Sequence, residues 1–312
     1  MHLAVVYNPN DHKLLPSAYS WTYRDMFLAV LERFAPVLHI TSPCEAASIE
    51  ADAVLFYDVH SSHPIDIPGI EKHAAIKIEY FNDPHQVDQI ARVSGQRVHK
   101  LGAEQRCERA KRRGVTKIIC PYREGYERYL APHANGMELL YFPVAPKPRR
   151  RVYPPLHLRR HDVLASGNCW PGDNGFHPYR FRRWAYMESA LSRRADTTNR
   201  NTPIGPAFQA YCAQFVGALA LCDYYVVPKY LEIPLAGCVC ICQMLPDYAA
   251  MGFADGVNCI TVDRADFDDR LHTIIESPQE FQAIADAGRE LVMSRYTAVH
   301  FADWLYQELT SE

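Results

Sequence analysis

Short apolar runs alternate with amphipathic stretches along the first half of the chain. The runs of strand length are Leu3 to Tyr7, Val37 to Ile40, Ala53 to Asp58, Ala75 to Tyr80, Lys117 to Cys120 and Leu139 to Tyr141. Between them, residues 21–34 place Met26, Val30 and other apolar residues at helical spacing, and residues 102–113 form a charged helical stretch. Strands that alternate with helices are typical of a parallel sheet flanked by helices, so the sequence predicts an α/β fold.

The second half of the chain repeats this alternation. An apolar strand at residues 162–166 ends at Gly167 and Asn168, as a strand does when it delivers the chain to a ligand-binding turn. The further elements that the pattern predicts are helices at 179–193, 206–219, 267–276, 278–296 and 298–309, and strands at 239–242 and 259–262.

Length and the placement of proline indicate two domains. A chain of 312 residues exceeds the usual range of a single domain. A segment rich in proline and arginine interrupts it, where neither helix nor strand is easily sustained. We therefore predict a first domain at residues 1–145, a linker at 146–161, a second domain at 162–297, and a C-terminal helix at 298–312 that packs back on the first domain.

Composition narrows the class of protein. No apolar run approaches the roughly 20 residues that cross a bilayer, and the first residues do not form a signal peptide, so we expect a cytoplasmic protein without a transmembrane segment. The ten cysteines are expected as buried, reduced thiols rather than as a disulfide framework. Phosphate loops of the Walker and G-x-G-x-x-G types are absent, which argues against a kinase, an ATPase or a simple dinucleotide dehydrogenase.

A carboxylate and an ammonium, Glu232 and Lys229, precede a small-residue turn at Gly237 and a buried strand. A carboxylate can accept hydrogen bonds from both hydroxyl groups of a ribose. Lys229 lies on the same side of a helical turn, where it can neutralise phosphate oxygens. The alternative is a surface ion pair worth about 0.3 kcal/mol, with Gly237 as a helix cap.

A basic run follows the turn at Gly167 and Asn168. Within it, Arg180 or Arg183 is the candidate for a diphosphate, since the guanidinium fork matches phosphate oxygens in pairs. The alternative for most arginines of this region is a solvated helix face.

The stretch from Lys229 to Gly237 resembles the nucleotide-sugar half of GT-B glycosyltransferases. Gly167 and Asn168 with the Pro178-Tyr179-Arg180 segment resemble the CgeB-like, spore-coat-associated group, and residues 281–297 resemble the closing helices of group 1 glycosyltransferases. The resemblance implies two Rossmann-like domains that face each other across a cleft. It also implies a donor site for a nucleotide-diphosphate sugar, UDP- or GDP-linked. The residues of this site would be Gly167, Asn168, Arg180, Arg183, Lys229, Glu232 and Gly237.

One position departs from the pattern of this family. Many retaining members carry an acidic residue eight positions before the ribose carboxylate, whereas Tyr224 stands there, next to Asp223. The departure leaves open whether the configuration of the sugar is retained or inverted.

An inverting enzyme needs a base to deprotonate the acceptor hydroxyl. We look for it where the strands of the first domain end, because open parallel sheets bind ligands at that edge. His60 with Asp58 is the first choice, since a neighbouring acid can orient a histidine, followed by Asp83 and Asp11. The alternative is that these are polar loop residues that cap helices, as Asp83 before Pro84 would do.

We expect no essential metal and no cofactor. His60 and His63 could ligate zinc, but no third ligand follows at suitable spacing. Basic side chains and a helix N-terminus can balance the diphosphate instead. The acceptor stays open among a glycan, a lipid, a protein and modified DNA.

Two other functions compete with sugar transfer. Arginine-rich segments with interleaved aromatic residues would suit a nucleic-acid-binding or nucleic-acid-modifying protein, including one that glycosylates modified DNA bases, and the basic linker is a candidate contact for an anionic partner. Tyr224 also allows a catalytically silent GT-B scaffold that binds a partner.

Overall fold

The chain forms two compact units in a computed structural model. The first unit comprises Met1–Pro143 with Ala298–Glu312, and the second comprises Val144–Thr297. The structure describes residues 1–11, 14, 21–57, 65–82, 84, 89–93, 96–149, 152–167, 169, 179–189, 203 and 205–311. Among these residues, no helix is long and apolar enough to cross a membrane.

The first unit is built on a six-stranded parallel sheet. Its elements, in chain order, are β1 Leu3–Val6, α1 Trp21–Arg33, β2 Val37–Ile40, β3 Ala53–Phe56, β4 Ile76–Tyr80, β5 Gln89–Val93, β6 Gln96–Lys100, α2 Ala103–Arg112, β7 Lys117–Ile119, the short α3 Arg123–Gly125 and β8 Glu138–Leu140. The strand order is β2-β1-β3-β4-β7-β8, while β5 and β6 form a separate antiparallel hairpin. Every residue of β1 and β3 is buried, as expected of central parallel strands.

The C-terminal helix returns to this unit. Helix α10, Ala298–Thr310, packs along α1. Arg33 Nε donates to Asp303 Oδ1 at 2.7 Å, and the Arg33 guanidinium carbon lies 3.7 Å from the centre of the Tyr306 ring. A salt bridge and a cation–π contact thus hold α10 against the end of α1.

The second unit has a four-stranded parallel sheet of order β12-β11-β10-β9. Its elements are β9 Arg160–Leu164, α4 Arg180–Met187, α5 Ala207–Cys212, β10 Phe215–Ala220, α6 Lys229–Leu235, β11 Val239–Cys242, α7 Pro246–Ala250, β12 Ile260–Thr261, α8 Phe267–Glu276 and α9 Gln282–Arg295. Strands β10 and β11 are fully buried and form the centre of the core.

Most predicted elements lie where the sequence placed them, but the helix predicted at 206–219 is wrong. Helix α5 ends at Cys212, and Phe215–Ala220 is the central strand β10. A short apolar run cannot be assigned by periodicity when both faces of the element are buried. Gly217 fits the strand because a Cβ there would lie 2.9 Å from Ile241 Cδ1 on β11. The β5–β6 hairpin was not predicted.

The topology of the second unit brings three loops to one edge of its sheet. Because β9, β10 and β11 are parallel, the residues that follow them, from 165, 221 and 243 onward, lie at the same carboxyl edge. Helix α6 begins soon after β10, so its first residues also lie close to this edge.

Candidate functional site

Lys229, the first residue of α6, is bound to the segment that follows β9. Its Nζ donates to the carbonyl oxygen of Ser166 and, at 2.8 Å, to Ser166 Oγ. Ser166 is buried, and its carbonyl oxygen also accepts a hydrogen bond of 2.7 Å from the Tyr186 hydroxyl. These bonds place an ammonium group against the first turn of the carboxyl edge.

Glycine is the residue type that fits position 167, directly after Ser166. Its φ is +109°, a conformation that residues with a side chain rarely adopt. A Cβ atom there would lie 2.5 Å from Lys229 Nζ and 2.9 Å from Arg182 Nη1. The missing side chain therefore lets two cationic groups approach the same stretch of backbone.

Arg182 is the second of these cations. It lies in the first turn of α4 and is only 4% exposed, with its guanidinium carbon 4.1 Å from the centre of the Tyr179 ring. Burial acts against its charge, but neighbouring tyrosine and cysteine side chains, Tyr186 foremost, hold its pKa above the ordinary value. Arg182 therefore remains charged.

The environment of Lys229 disfavours its charge. Burial first and the positive Arg182 second lower the pKa of this ammonium group from 10.5 to about 7, against the opposing effect of the negative Glu232. Two cations side by side repel each other, and an anion bound between them would relieve that repulsion and raise the pKa of Lys229. The arrangement is suited to binding a phosphate or another anion at the turn.

Glu232 lies one helical turn after Lys229 and is partly exposed. The spacing of three residues places the two side chains on one side of α6, and the Glu232 carboxylate acts to raise the pKa of Lys229. The sequence placed Lys229, Glu232 and Gly167 in one site, and the structure brings Lys229 together with each of the other two.

Arg180 and Arg183 are both exposed, unlike Arg182 between them. Arg180 is tied to the end of β10, where its backbone N–H donates to Asp223 Oδ2 at 2.9 Å and its Nη2 donates to the Tyr224 hydroxyl at 3.1 Å. Sequence reasoning missed Arg182 as a site residue. The sequence carried no local signal for it, because Arg180, Arg182 and Arg183 share one helical turn and only the packing of α4 shows that Arg182 is the buried one.

Gly237 lies at the opposite edge of the sheet from Gly167. It has a φ of +67°, follows the last turn of α6, and precedes the start of β11. Its N–H donates to the carbonyl oxygen of Pro234 at 2.7 Å, and a Cβ would lie 3.2 Å from Arg159 Nη2. This position gives Gly237 a role in ending the helix, and its contact with a donor stays a prediction.

Most of the predicted acceptor-side residues are outside the described part of the chain. His60, Asp58 and Asp83 lie there, as does Asn168 of the donor turn. Asp11 is described and is 6% exposed. It lies close enough to Tyr57 to act on that phenol, whose pKa is raised first by burial and then by the Asp11 charge.

Comparison with known proteins relates the second half of the chain to one family. Residues 155–307 match a protein family described as glycosyl transferase-like, and the matched region contains both Gly167 and Lys229. No curated protein matches the sequence.

Many solved structures share the fold, and three of them illustrate the likeness. Alr3699/HepE of Anabaena, in complex with UDP and glucose, is 12% identical with a TM-score of 0.57, and the match covers 100% of both chains. Sucrose-phosphate synthase from Thermosynechococcus elongatus is 14% identical with a TM-score of 0.54, covering 100% of this chain and 99% of the other. A chain of the GtfA/B complex is 12% identical with a TM-score of 0.50, and the match covers 85% of this chain but only 58% of the GtfA/B chain.

At these identities the likeness is one of fold. It confirms the predicted α/β architecture with parallel sheets, which the structural neighbours share as GT-B glycosyltransferases. The narrower assignment to the CgeB-like group stays a prediction.

Proposed function

We propose that this chain, whose residues 155–307 match a glycosyl transferase-like family, transfers a sugar from a nucleotide-diphosphate donor to an acceptor hydroxyl. The observation that carries the proposal is the convergence of Lys229 and Arg182 on Gly167 at the carboxyl edge of the second sheet. A diphosphate is the ligand whose charge and compact shape suit two cations beside a turn without a side chain.

Each of these residues has a distinct part in the proposed donor site. The backbone at Gly167 allows a phosphate to approach closely, and the Arg182 guanidinium offers two parallel N–H donors. Lys229 neutralises the charge that develops on the diphosphate as its bond to the sugar breaks. Glu232 accepts hydrogen bonds from the ribose hydroxyls, while the exposed Arg180 and Arg183 add positive charge around the site.

The donor is proposed to carry uridine or guanosine. Alr3699/HepE has been crystallised with UDP and glucose, which makes UDP the first nucleotide to test on a chain of the same fold. Lys229 and Arg182 can balance the charge of the diphosphate, so we propose a reaction without an essential metal or cofactor. We also propose that the protein acts in the cytoplasm.

In the reaction, the acceptor hydroxyl oxygen attacks the anomeric carbon, and the bond from that carbon to the diphosphate oxygen breaks. The proton of the hydroxyl must pass to a base if the configuration inverts. His60, Asp58, Asp83 and Asp11 are the proposed candidates. Of these four, Asp11 belongs to the described part of the chain, and its carboxylate is buried.

A nucleotide panel tests the donor site. Thermal unfolding would be followed with UDP, GDP, ADP, CMP and TDP for the wild type, for Glu232→Ala and for Glu280→Ala, a control at an exposed carboxylate of the same unit. We expect one nucleoside diphosphate to stabilise the wild type and the control but not Glu232→Ala. A ligand at 100 times its Kd adds about 2.7 kcal/mol to the free energy of unfolding. If no nucleotide changes the wild-type transition, the donor site is wrongly assigned.

A further inference from the structure

Gln243 occupies the carboxyl edge directly after β11 and is held there from two sides. Its Nε2 donates to Asp223 Oδ1 at 3.2 Å, and its backbone carbonyl accepts a 3.1 Å hydrogen bond from the Tyr230 hydroxyl. The second oxygen of Asp223 accepts from the Arg180 N–H at 2.9 Å. The ends of β10 and β11 are therefore connected through one fixed amide.

The carboxylate determines which way this amide points. An ionised carboxylate can only accept hydrogen bonds, so the NH2 group of Gln243 must face Asp223. Oε1 is then directed away from Asp223. It is enclosed, and no group in the described part of the chain donates a hydrogen bond to it, although the residue as a whole is partly exposed.

An enclosed amide oxygen without a donor is rare in folded proteins. It is understandable at a binding site, where a ligand supplies the missing donor. The hydroxyl group of a sugar is such a donor, whereas a phosphate offers only acceptor oxygens.

The spacing of the sheet relates Gln243 to the proposed phosphate position. Neighbouring strands lie about 4.8 Å apart, so Gln243, the residue after β11, is roughly 10 Å across the sheet from Ser166 beyond β9. A sugar attached to a phosphate at Lys229 and Arg182 would extend over a similar length. Because Glu232 already supplies an acceptor for the ribose, the donor groups left to meet Oε1 are the hydroxyl groups of the transferred sugar and the N–H groups of the base, and the sugar is the one attached directly to the diphosphate.

We infer that Gln243 Oε1 accepts a hydrogen bond from a hydroxyl group of the transferred sugar, and that Asp223 acts as the positioning residue of this amide. The inference rests on the proposed function and adds to it that the donor is selected partly by its sugar. Removing the acceptor should then weaken the binding of a sugar nucleotide more than the binding of the corresponding nucleoside diphosphate.

The test compares binding of a nucleotide with and without its sugar. Dissociation constants would be measured by calorimetry for UDP and UDP-glucose and for GDP and GDP-mannose, using the pair that binds the wild type. Gln243→Leu keeps much of the side-chain volume but removes the acceptor. We expect this variant to bind the sugar nucleotide about tenfold more weakly, as for a lost hydrogen bond of ordinary strength. Its affinity for the nucleoside diphosphate should stay within about twofold of the wild-type value.

Two further variants separate positioning from general damage. Asp223→Asn replaces one carboxylate oxygen by an NH2 group, so the side chain no longer accepts on both sides and no longer fixes the orientation of the Gln243 amide. We expect the same selective loss of affinity for the sugar nucleotide. Gln279→Leu, at an exposed glutamine of the same unit, should bind both ligands as the wild type does.

The outcomes distinguish the inference from its premise. If the wild type binds neither pair, the proposed function fails, and the inference fails with it. If the wild type binds a pair but Gln243→Leu binds both members unchanged, the inference alone is wrong. Equal weakening of both members would assign Gln243 to the nucleotide and overturn the contact with the sugar.

Discussion

The ammonium group of Lys229 lies 2.8 Å from Oγ of Ser166, which joins the first residue of α6 to the segment beyond β9. The strand β10 runs between β9 and β11, and α6 connects β10 to β11. The Lys229 side chain thus links the helix that connects β10 to β11 with the segment that follows the edge strand β9. This bond holds the Lys229 side chain in place before any ligand arrives, which reduces the ordering that binding requires.

Replacement of Gly167 by alanine should weaken donor binding. The added Cβ would lie 2.5 Å from Lys229 Nζ and would occupy the space into which Lys229 and Arg182 converge. We expect at least a tenfold loss of affinity for the sugar nucleotide, together with a loss of about 1–3 kcal/mol in the free energy of unfolding from the strained φ. Calorimetry and urea unfolding measure the two effects.

Gly256→Ala supplies the matched control for backbone strain. Gly256 has a φ of +70° in the same unit, but a Cβ there would meet no atom within 4 Å. The control should lose stability and keep donor binding. If Gly167→Ala binds the donor as tightly as Gly256→Ala does, the turn is not a phosphate site.

The sequence was sufficient to find the elements that carry the site, but not the full set of side chains in it. Lys229, Glu232 and Gly167 could be named because each stands at a fixed offset from a strand end or a turn. Arg182 could not be separated from Arg180 and Arg183, since three basic residues in one helical turn differ only in which of them faces the core. That choice depends on the packing of α4 on the sheet, which tertiary contacts decide.

The error at β10 has a related cause. The run from Phe215 to Ala220 is apolar on both faces, so its pattern has neither the period of an exposed helix nor that of an exposed strand. Only the approach of Ile241 to Gly217 shows why this run is extended. Contacts of this kind join distant parts of the chain and leave no local signal.

Donor binding should take up a proton above neutral pH. The pKa of Lys229 is lowered to about 7, first by burial and then by Arg182, so the group is mostly neutral at pH 8 in the free protein. A bound diphosphate favours the ammonium form. We expect uptake to approach one proton per bound sugar nucleotide near pH 8 and to be small at pH 6. Calorimetry in buffers of different ionisation enthalpy counts these protons.

Lys229→Met is the variant that assigns this proton. It should bind the sugar nucleotide roughly ten to a hundred times more weakly, since a charged hydrogen bond is lost, and with no such uptake at pH 8. Equal proton uptake in both proteins would show that another group titrates.

The same pKa shift affects stability with a defined sign. Between pH 7 and pH 10.5 the unfolded chain holds a proton on Lys229 that the folded protein has lost, so this residue makes the free energy of unfolding rise with pH across that range.

The buried carboxylate Glu79 should be essential to the first unit. It is 0% exposed and accepts hydrogen bonds from Arg109 Nη2 at 2.5 Å and from Arg113 Nη1 at 3.2 Å. Glu79→Gln would remove the buried carboxylate charge that both guanidinium groups face, so we expect a loss of about 3–5 kcal/mol at pH 7 in urea unfolding. Glu138→Gln serves as the control, because Glu138 pairs with Lys117 at 3.2 Å but its side chain is 61% exposed. That variant should lose less than about 1 kcal/mol.

Acid should remove the advantage that Glu79 confers. Burial alone would raise the pKa of its carboxyl group, but Arg109 and Arg113 outweigh burial and hold the pKa below its ordinary value of 4.5. A carboxyl group with a lowered folded pKa stabilises the protein above its unfolded pKa and loses that effect as pH falls through the folded pKa. The difference in unfolding free energy between wild type and Glu79→Gln should therefore shrink as pH falls below about 4.5. A difference that stays constant down to pH 3 would mean that the carboxylate charge is not what holds the two arginines in place.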